Sequence, residues 1–237
     1  MLESLDLQQV LILDIETAPQ YATYEEMPEL FKKLWDQKTR QKRPAGETAT
    51  EYYPRAGIWA EFGKIICISV GIYNRQEGKT GLRIKSFSGH DEHKLLIEFN
   101  DLLNKQPAGL TLCAHNGKEF DFPYLCRRML VNSIEIPRQL HLSGKKPWEI
   151  NHLDTMDLWK FGDYKSYTSL DLLAAIFDIP TPKDDINGSD VHWVYWKEQD
   201  LNRIKTYCQK DVLTTAQLLL RFKRLPLIQE DLITIVG

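Results

Sequence analysis

The chain has 237 residues, 43% hydrophobic and 27% charged, with 30 Lys and Arg against 33 Asp and Glu. That is enough length and apolar content for one filled core, and a formal net charge of −3 excludes the global basic footprint of a nucleic-acid coat protein. No apolar stretch approaches the roughly 20 residues of a membrane span, no secretory leader opens the sequence, and Cys67, Cys113, Cys126 and Cys208 form no CxxC pair. The expectation is a cytoplasmic protein with reduced thiols, no zinc site and no membrane contact, folded as one domain over residues 1–237.

The first element is "VLILDIETAP", residues 10–19: an apolar run that reads as a buried strand and ends on two carboxylates, Asp14 and Glu16. Carboxylates at the end of a strand entering a core need a cation, a metal or hydrogen bonds to offset their desolvation. Residues 64–74 and 82–89 are rich in β-branched and aromatic residues around a polar Gly-containing turn, a hairpin signal. Residues 91–105 place Leu95, Leu96, Phe99, Leu102 and Leu103 at helical spacing. "LTLCAHN" (110–116) reads as a strand, "PYLCRRML" as a helix, "HLDTMDLW" (152–159) as a fifth strand, and "TSLDLLAAIFDIP" as a helix stopped by Pro180. A long helical pattern over 201–226 ends at Pro226. Three strands in meander, then strands alternating with helices, predict an α/β architecture with a central mixed five-stranded sheet flanked by helices. Residues 20–62, an insertion after the first strand, and 180–200 fit no element of that plan and read as loops or caps over a site.

The chemistry-bearing residues cluster in three short stretches. Asp14 and Glu16 end the first strand; Asn116 follows the fourth, with Asp121 opening the next helix; Tyr207 and Asp211 share a face of the last helix, four residues apart. Taken singly, each has an ordinary structural reading: a solvated strand end, an acid favoured by a helix N-terminus, a helix face, an Asx turn. Jointly, four carboxylates around one pocket repel one another unless divalent cations sit among them, and oxygen-only ligands suit Mg²⁺ or Mn²⁺.

D-I-E-T, N-x-x-x-F-D and Y-x-x-x-D, in that order, resemble the three motifs of the DEDD superfamily of 3′→5′ exonucleases, in the branch with tyrosine in the third motif (DEDDy). The surroundings, including "SLDLLAAIFDIPTPKDDINGSDV", resemble the proofreading exonuclease domains of family B DNA polymerases, over about residues 8–222. The resemblance implies an RNase H-like fold and a metal-dependent 3′→5′ exonuclease acting on single-stranded nucleic acid, DNA before RNA. Asp14, Glu16, Asp121 and Asp211 would hold two divalent cations, Mg²⁺ or Mn²⁺, about 4 Å apart, and Tyr207 would orient the attacking water. Thr17, Asn116 and Phe120 would contact substrate.

No stretch of these residues reads as a polymerase domain, so the expectation for a proofreading role is a polymerase or repair partner in trans. The motifs address a phosphodiester, which leaves a 3′→5′ exoribonuclease open; a non-catalytic nucleic-acid-binding module associated with a polymerase is the third reading. Within the insertion, Lys32, Lys33, Lys38, Arg40, Lys42 and Arg43 read either as a track for a nucleic-acid backbone or as a solvated helix face. Tyr52, Tyr53, Trp59, Trp193 and Trp196 read as base-stacking or as loop-packing residues. Asp154, Asp157 and His115 read as structural.

Overall fold

A computed structural model of the chain describes residues 2–163, 165, 167–181 and 186–236. Strand β1 (Val10–Pro19) lies at the middle of the sheet, and its alternation divides the core. Leu11, Leu13 and Ile15 face helices α3 (Glu92–Asn104) and α4 (Asp121–Val131), while Val10 and Ile12 face α8 (Leu201–Phe222) through Val212, Ala216, Leu219 and Leu220. Because side chains in a strand repeat every two residues, Asp14 and Glu16 continue the row that faces α8.

β1 pairs antiparallel with β2 (Gly63–Gln76), which pairs antiparallel with β3 (Lys79–Ser88). On the other side it pairs in parallel with β4 (Thr111–Ala114), and β4 with β5 (Leu153–Asp154). This mixed sheet between helices is the α/β plan expected from the sequence, with two differences. A sixth strand, β6 (Ile233–Val236), pairs in parallel with the outer edge of β3, giving the order β5-β4-β1-β2-β3-β6 in place of five strands. Its four residues are too short to carry a periodic signal. The expected strand over 152–159 keeps only two residues. The Asp154 side chain accepts from the N–H groups of Met156 and Asp157 at 2.9 and 3.4 Å and thereby starts helix α5 (Thr155–Lys160).

The depth of α8 is set by Gly71 on β2, where a Cβ would stand 2.8 Å from Cγ1 of Val212. Asp211 precedes that contact, so the close approach of helix and sheet also fixes how far Asp211 reaches over β1. The insertion holds α1 (Glu29–Thr39), α2 (Ala49–Tyr52) and a 3-10 turn at Tyr53–Ile58, packed around the buried Trp35. Of the expected cap at 180–200, residues 182–185 lie outside the described residues. The remainder includes α7 (Val191–Trp193) and a π-helical stretch at Val194–Glu198, which pack through Val191, Val194 and Tyr195 against Ile204 and Cys208. Helix α6 (Leu170–Ile176) lies where the sequence expects it.

One buried ion pair ties these parts together. Arg128 on α4 donates to Glu92 at 2.8 and 2.6 Å and to the Ala60 carbonyl at 2.8 Å, while Glu92 also accepts from the Ile65 N–H at 2.7 Å. Removing the guanidinium leaves a carboxylate buried without its cation, the costly way to break such a pair. Arg128→Ala is expected to lose about 3 kcal/mol of stability, read as a lower denaturant midpoint at unchanged slope. A loss within the range of an exposed pair, about 1 kcal/mol, would contradict this.

Candidate active site

Asp14, Glu16, Thr17, Asn116, Phe120, Asp121, Tyr207 and Asp211 all line one cleft of about 660 Å³. The elements that deliver them meet for identifiable reasons. The β1–β2 register shifts between Glu16 and Thr17, a bulge of the kind that re-aims side chains at the end of a ladder. β4 pairs with β1 only over Val10–Ile12, so the Ile15 N–H lies beyond the paired stretch, and it donates instead to Oδ1 of Asp121 at 3.2 Å. That bond locks the start of α4 onto the carboxylate end of β1.

The loop between β4 and α4 is shaped by a different acid. Asp154 accepts from the N–H groups of Asn116 at 2.9 Å and Lys118 at 3.0 Å, holding Asn116 at φ 62°, a conformation Asn tolerates better than most residues. Both Asp154 oxygens are thus engaged by backbone donors. Asp157 lies 3.5 Å from Lys118. His115 sits between the Thr155 hydroxyl and the Thr168 carbonyl, 2.9 Å from each, and burial holds its pKa below the ordinary histidine value. A neutral ring donating from Nε2 and accepting at Nδ1 satisfies both contacts.

Asp14, Glu16 and Asp121 carry the electrostatic signature of a site short of positive charge. Burial holds the Asp14 carboxyl well above the usual carboxylate range, and Glu16, Asp211 and Asp121 add to it. Burial does the same to Glu16, with Asp211, Cys67 and Asp121 contributing. Asp121 is pushed up to about 7, chiefly by burial, against the lowering effect of the hydrogen bonds from its own N–H and that of Ile15. Oδ2 of Asp14 is enclosed and has no hydrogen-bond partner among the described residues. An enclosed, unpartnered carboxylate oxygen amid three further acids is costly as it stands and fits a divalent cation.

Ligand atoms of Asp14, Glu16 and Cys208 all lie within 4.8 Å of one another. Cys208 is nonetheless a poor third ligand: burial pushes its thiol pKa up, and the thiol donates to the Asp14 carbonyl at 3.4 Å. Its place facing the cluster follows from the i, i+4 row Ile204, Cys208, Val212 on α8, a signal present in the sequence. Tyr207 is held protonated by burial and by the surrounding acids, with Asp211, one turn along, hydrogen-bonding the phenol.

Arg55, Ile58, Tyr167 and His192 also line the cleft, and no motif announced them. The basic run of the insertion is mostly spent on local acids. Lys32 pairs with Glu29 at 2.7 Å, Lys38 with Glu61 at 2.8 Å, and Arg40 and Arg43 with Asp36 at 2.8 and 2.7 Å. Of the aromatics, Tyr52, Tyr53 and Trp59 pack against Trp35, and Trp196 donates to the Pro19 carbonyl at 3.0 Å. These four pack loops; Trp193 is exposed.

A six-stranded mixed sheet with an acidic cleft along the middle of its central strand, which runs on past Asp14 and Glu16 to Pro19, defines an α/β protein with a carboxylate cluster. Residues 58–230, the greater part of the chain, match the family described as "Predicted 3'-5' exonuclease related to the exonuclease domain of PolB", and the chain belongs to that family. The matched stretch contains Asp121, Tyr207 and Asp211 and begins after β1 and most of the insertion. Among solved structures, the chain is similar to the family B DNA polymerase from the hyperthermophilic archaeon Pyrobaculum calidifontis, at 19% identity and a TM-score of 0.48 over 90% of this chain. It spans 24% of that polymerase chain. No curated protein matches the chain. Among the described residues, no helix is long and apolar enough to cross a membrane.

Proposed function

We propose that the chain is a metal-dependent 3′→5′ exonuclease that hydrolyses the terminal phosphodiester of single-stranded nucleic acid, DNA before RNA. The observation that supports this best is the enclosed, unpartnered Oδ2 of Asp14 beside Glu16, Asp121 and Asp211. Divalent cations, Mg²⁺ or Mn²⁺, bound by these four carboxylates would supply the Lewis acidity that makes water a nucleophile at neutral pH and stabilises the leaving oxygen. The acids hold their charges in place for that task; β1, α4 and α8 each deliver theirs from a rigid element. Water adds to the phosphorus, the bond to the 3′-oxygen breaks, and a nucleoside monophosphate leaves a chain one residue shorter with a protonated 3′-hydroxyl.

Tyr207 acts as a positioning donor in this reading, because a phenol kept protonated by its surroundings is no base at neutral pH. Tyr207→Phe is expected to lower kcat by about a hundredfold, the scale of one lost donor in an enclosed site. The stabilisation that Mg²⁺ gives the fold should be unchanged in that variant, since no ligand is removed. Thr17 and Asn116 offer polar contacts to the terminal nucleotide and Phe120 an apolar one. A polymerase or repair partner in trans would set the biological substrate.

The test is digestion of 3′- and 5′-labelled single-stranded DNA and RNA of one sequence, with Mg²⁺, Mn²⁺ or EDTA. A ladder shortening from the 3′ end, dependent on metal, is the expected result, and the faster polymer identifies the substrate class. Cleavage that persists in EDTA, or proceeds from the 5′ end, overturns the reading. Metal-bound, folded protein that binds either strand without cutting it is the outcome that favours a non-catalytic module.

A further inference from the structure

We infer that the 3-10 turn of the insertion forms a strand-binding subsite, in which Arg55 takes a backbone phosphate upstream of the cleaved bond and Ile58 packs on a base. The inference rests on the exonuclease reading for the class of ligand. The cleft is lined by four acids, and among its described lining residues Arg55 is the one Lys or Arg. A polyanion entering so negative a cleft needs a fixed cation on the wall, and the basic run of the insertion is largely paired with nearby acids.

Arg55 is held ready for this. Its guanidinium lies 4.8 Å from the centroid of the Tyr52 ring and 3.4 Å from Glu47, yet its side chain is 55% exposed. Residues three apart eclipse one another in a 3-10 helix, so Ile58 stands on the same side of the turn as Arg55. Ile58 is an apolar side chain left 54% exposed in the cleft wall. A cation and an apolar surface side by side match the repeating unit of a single strand, phosphate beside base.

The turn is anchored to the carboxylate end of β1. Gly57 packs against it so closely that a Cβ would lie 3.2 Å from the Thr17 carbonyl oxygen and the Ala18 carbonyl carbon. Tyr124 of α4 donates to the Gly57 carbonyl at 2.7 Å. The subsite therefore keeps a fixed distance from Asp14 and Glu16. Arg55 lies just before the stretch that matches the exonuclease family, and Ile58 is the first residue of that stretch.

The experiment measures anisotropy of 5′-labelled oligothymidylate and oligouridylate at several salt concentrations. It is run on the full chain carrying Asp14→Asn, so that the strand is not consumed, with and without Arg55→Ala. Removing Arg55 should weaken binding of both strands about tenfold and reduce the slope of log K against log salt by about 0.7, the value of one phosphate contact on a single strand. Ile58→Ser should weaken binding at unchanged slope. On the otherwise wild-type chain, Arg55→Ala should raise KM and leave kcat at saturation intact. Equal affinity and slope with and without Arg55, in protein of unchanged melting temperature, overturns the subsite even if the wild type digests strands. Arg55-dependent binding by a wild type that cuts nothing upholds the subsite and removes the exonuclease reading.

Discussion

Asp14→Asn is expected to lower kcat/KM on a single-stranded 3′ end by at least about a thousandfold, some 4 kcal/mol of transition-state stabilisation. The substitution keeps shape and removes one negative charge from a cluster whose oxygen Oδ2 has no partner of its own. The same change should raise the melting temperature of the metal-free protein, because burial and three neighbouring acids all oppose the Asp14 charge. Loss of activity together with a gain of metal-free stability separates a ligand from a structural residue, whose loss lowers both. Asp211→Asn should behave alike, and the double variant should be little worse than either single one, since groups that act as a unit are not additive. Single-turnover rates and thermal melts in EDTA and Mg²⁺ provide the readout. Two folded single variants within tenfold of wild type would end the four-acid proposal.

Without metal, the cluster should make the fold less stable as pH rises. An unfolded Asp loses its proton near pH 3.8, whereas folded Asp121 keeps its proton to about pH 7. Across that window the folded state binds more protons, so each step up in pH costs stability. Below the window both states are protonated, and above it the cost is complete. Asp14 and Glu16, raised by burial and by the neighbouring acids, act in the same direction. His115, His152 and His192 oppose it: burial lowers their pKa values, so their contribution is lost as pH falls below about 6.5. The difference between wild type and Asp121→Asn isolates the acid. In EDTA that difference should grow in favour of the variant from pH 5 to pH 8, and saturating Mg²⁺ should reverse it. A wild type that gains stability relative to Asp121→Asn over the same range without metal would show that the carboxylates are compensated by something other than a cation.

Elements and site were legible in the sequence to different degrees, for reasons visible in particular residues. The apolar run of β1, the helical spacing of Leu95, Leu96, Phe99 and Leu103 in α3, and the Ile204–Cys208–Val212 row of α8 are local periodic signals, and each corresponds to the element it implies. The stretch 152–159 reads as a strand, yet so short a run supports either period; only Leu153–Asp154 pairs as β5, and the Asp154 side chain, bonded to the N–H groups of Met156 and Asp157, turns the rest into a helix. β6 carries only the propensity of four consecutive β-branched residues, too short a run to be read as an element without the edge of β3, whose unpaired backbone groups it satisfies.

The sequence by itself determined the polarity of each element and the local spacing of its acids: two on one strand face, one at a helix start, one a turn away from a tyrosine. Only the tertiary structure decided that these acids share a cleft. Convergence depends on the Asp121 bond to the Ile15 N–H, the close approach of α8 at Gly71 and the seating of Gly57 on β1. The same packing brings Arg55 and Ile58 into the cleft wall while Arg40 and Arg43 turn to Asp36. Periodicity encodes which face of an element is apolar. Which faces meet, and at what distance, is set by contacts between residues distant in sequence: Asp121 with Ile15, Val212 with Gly71, and Gly57 with Thr17.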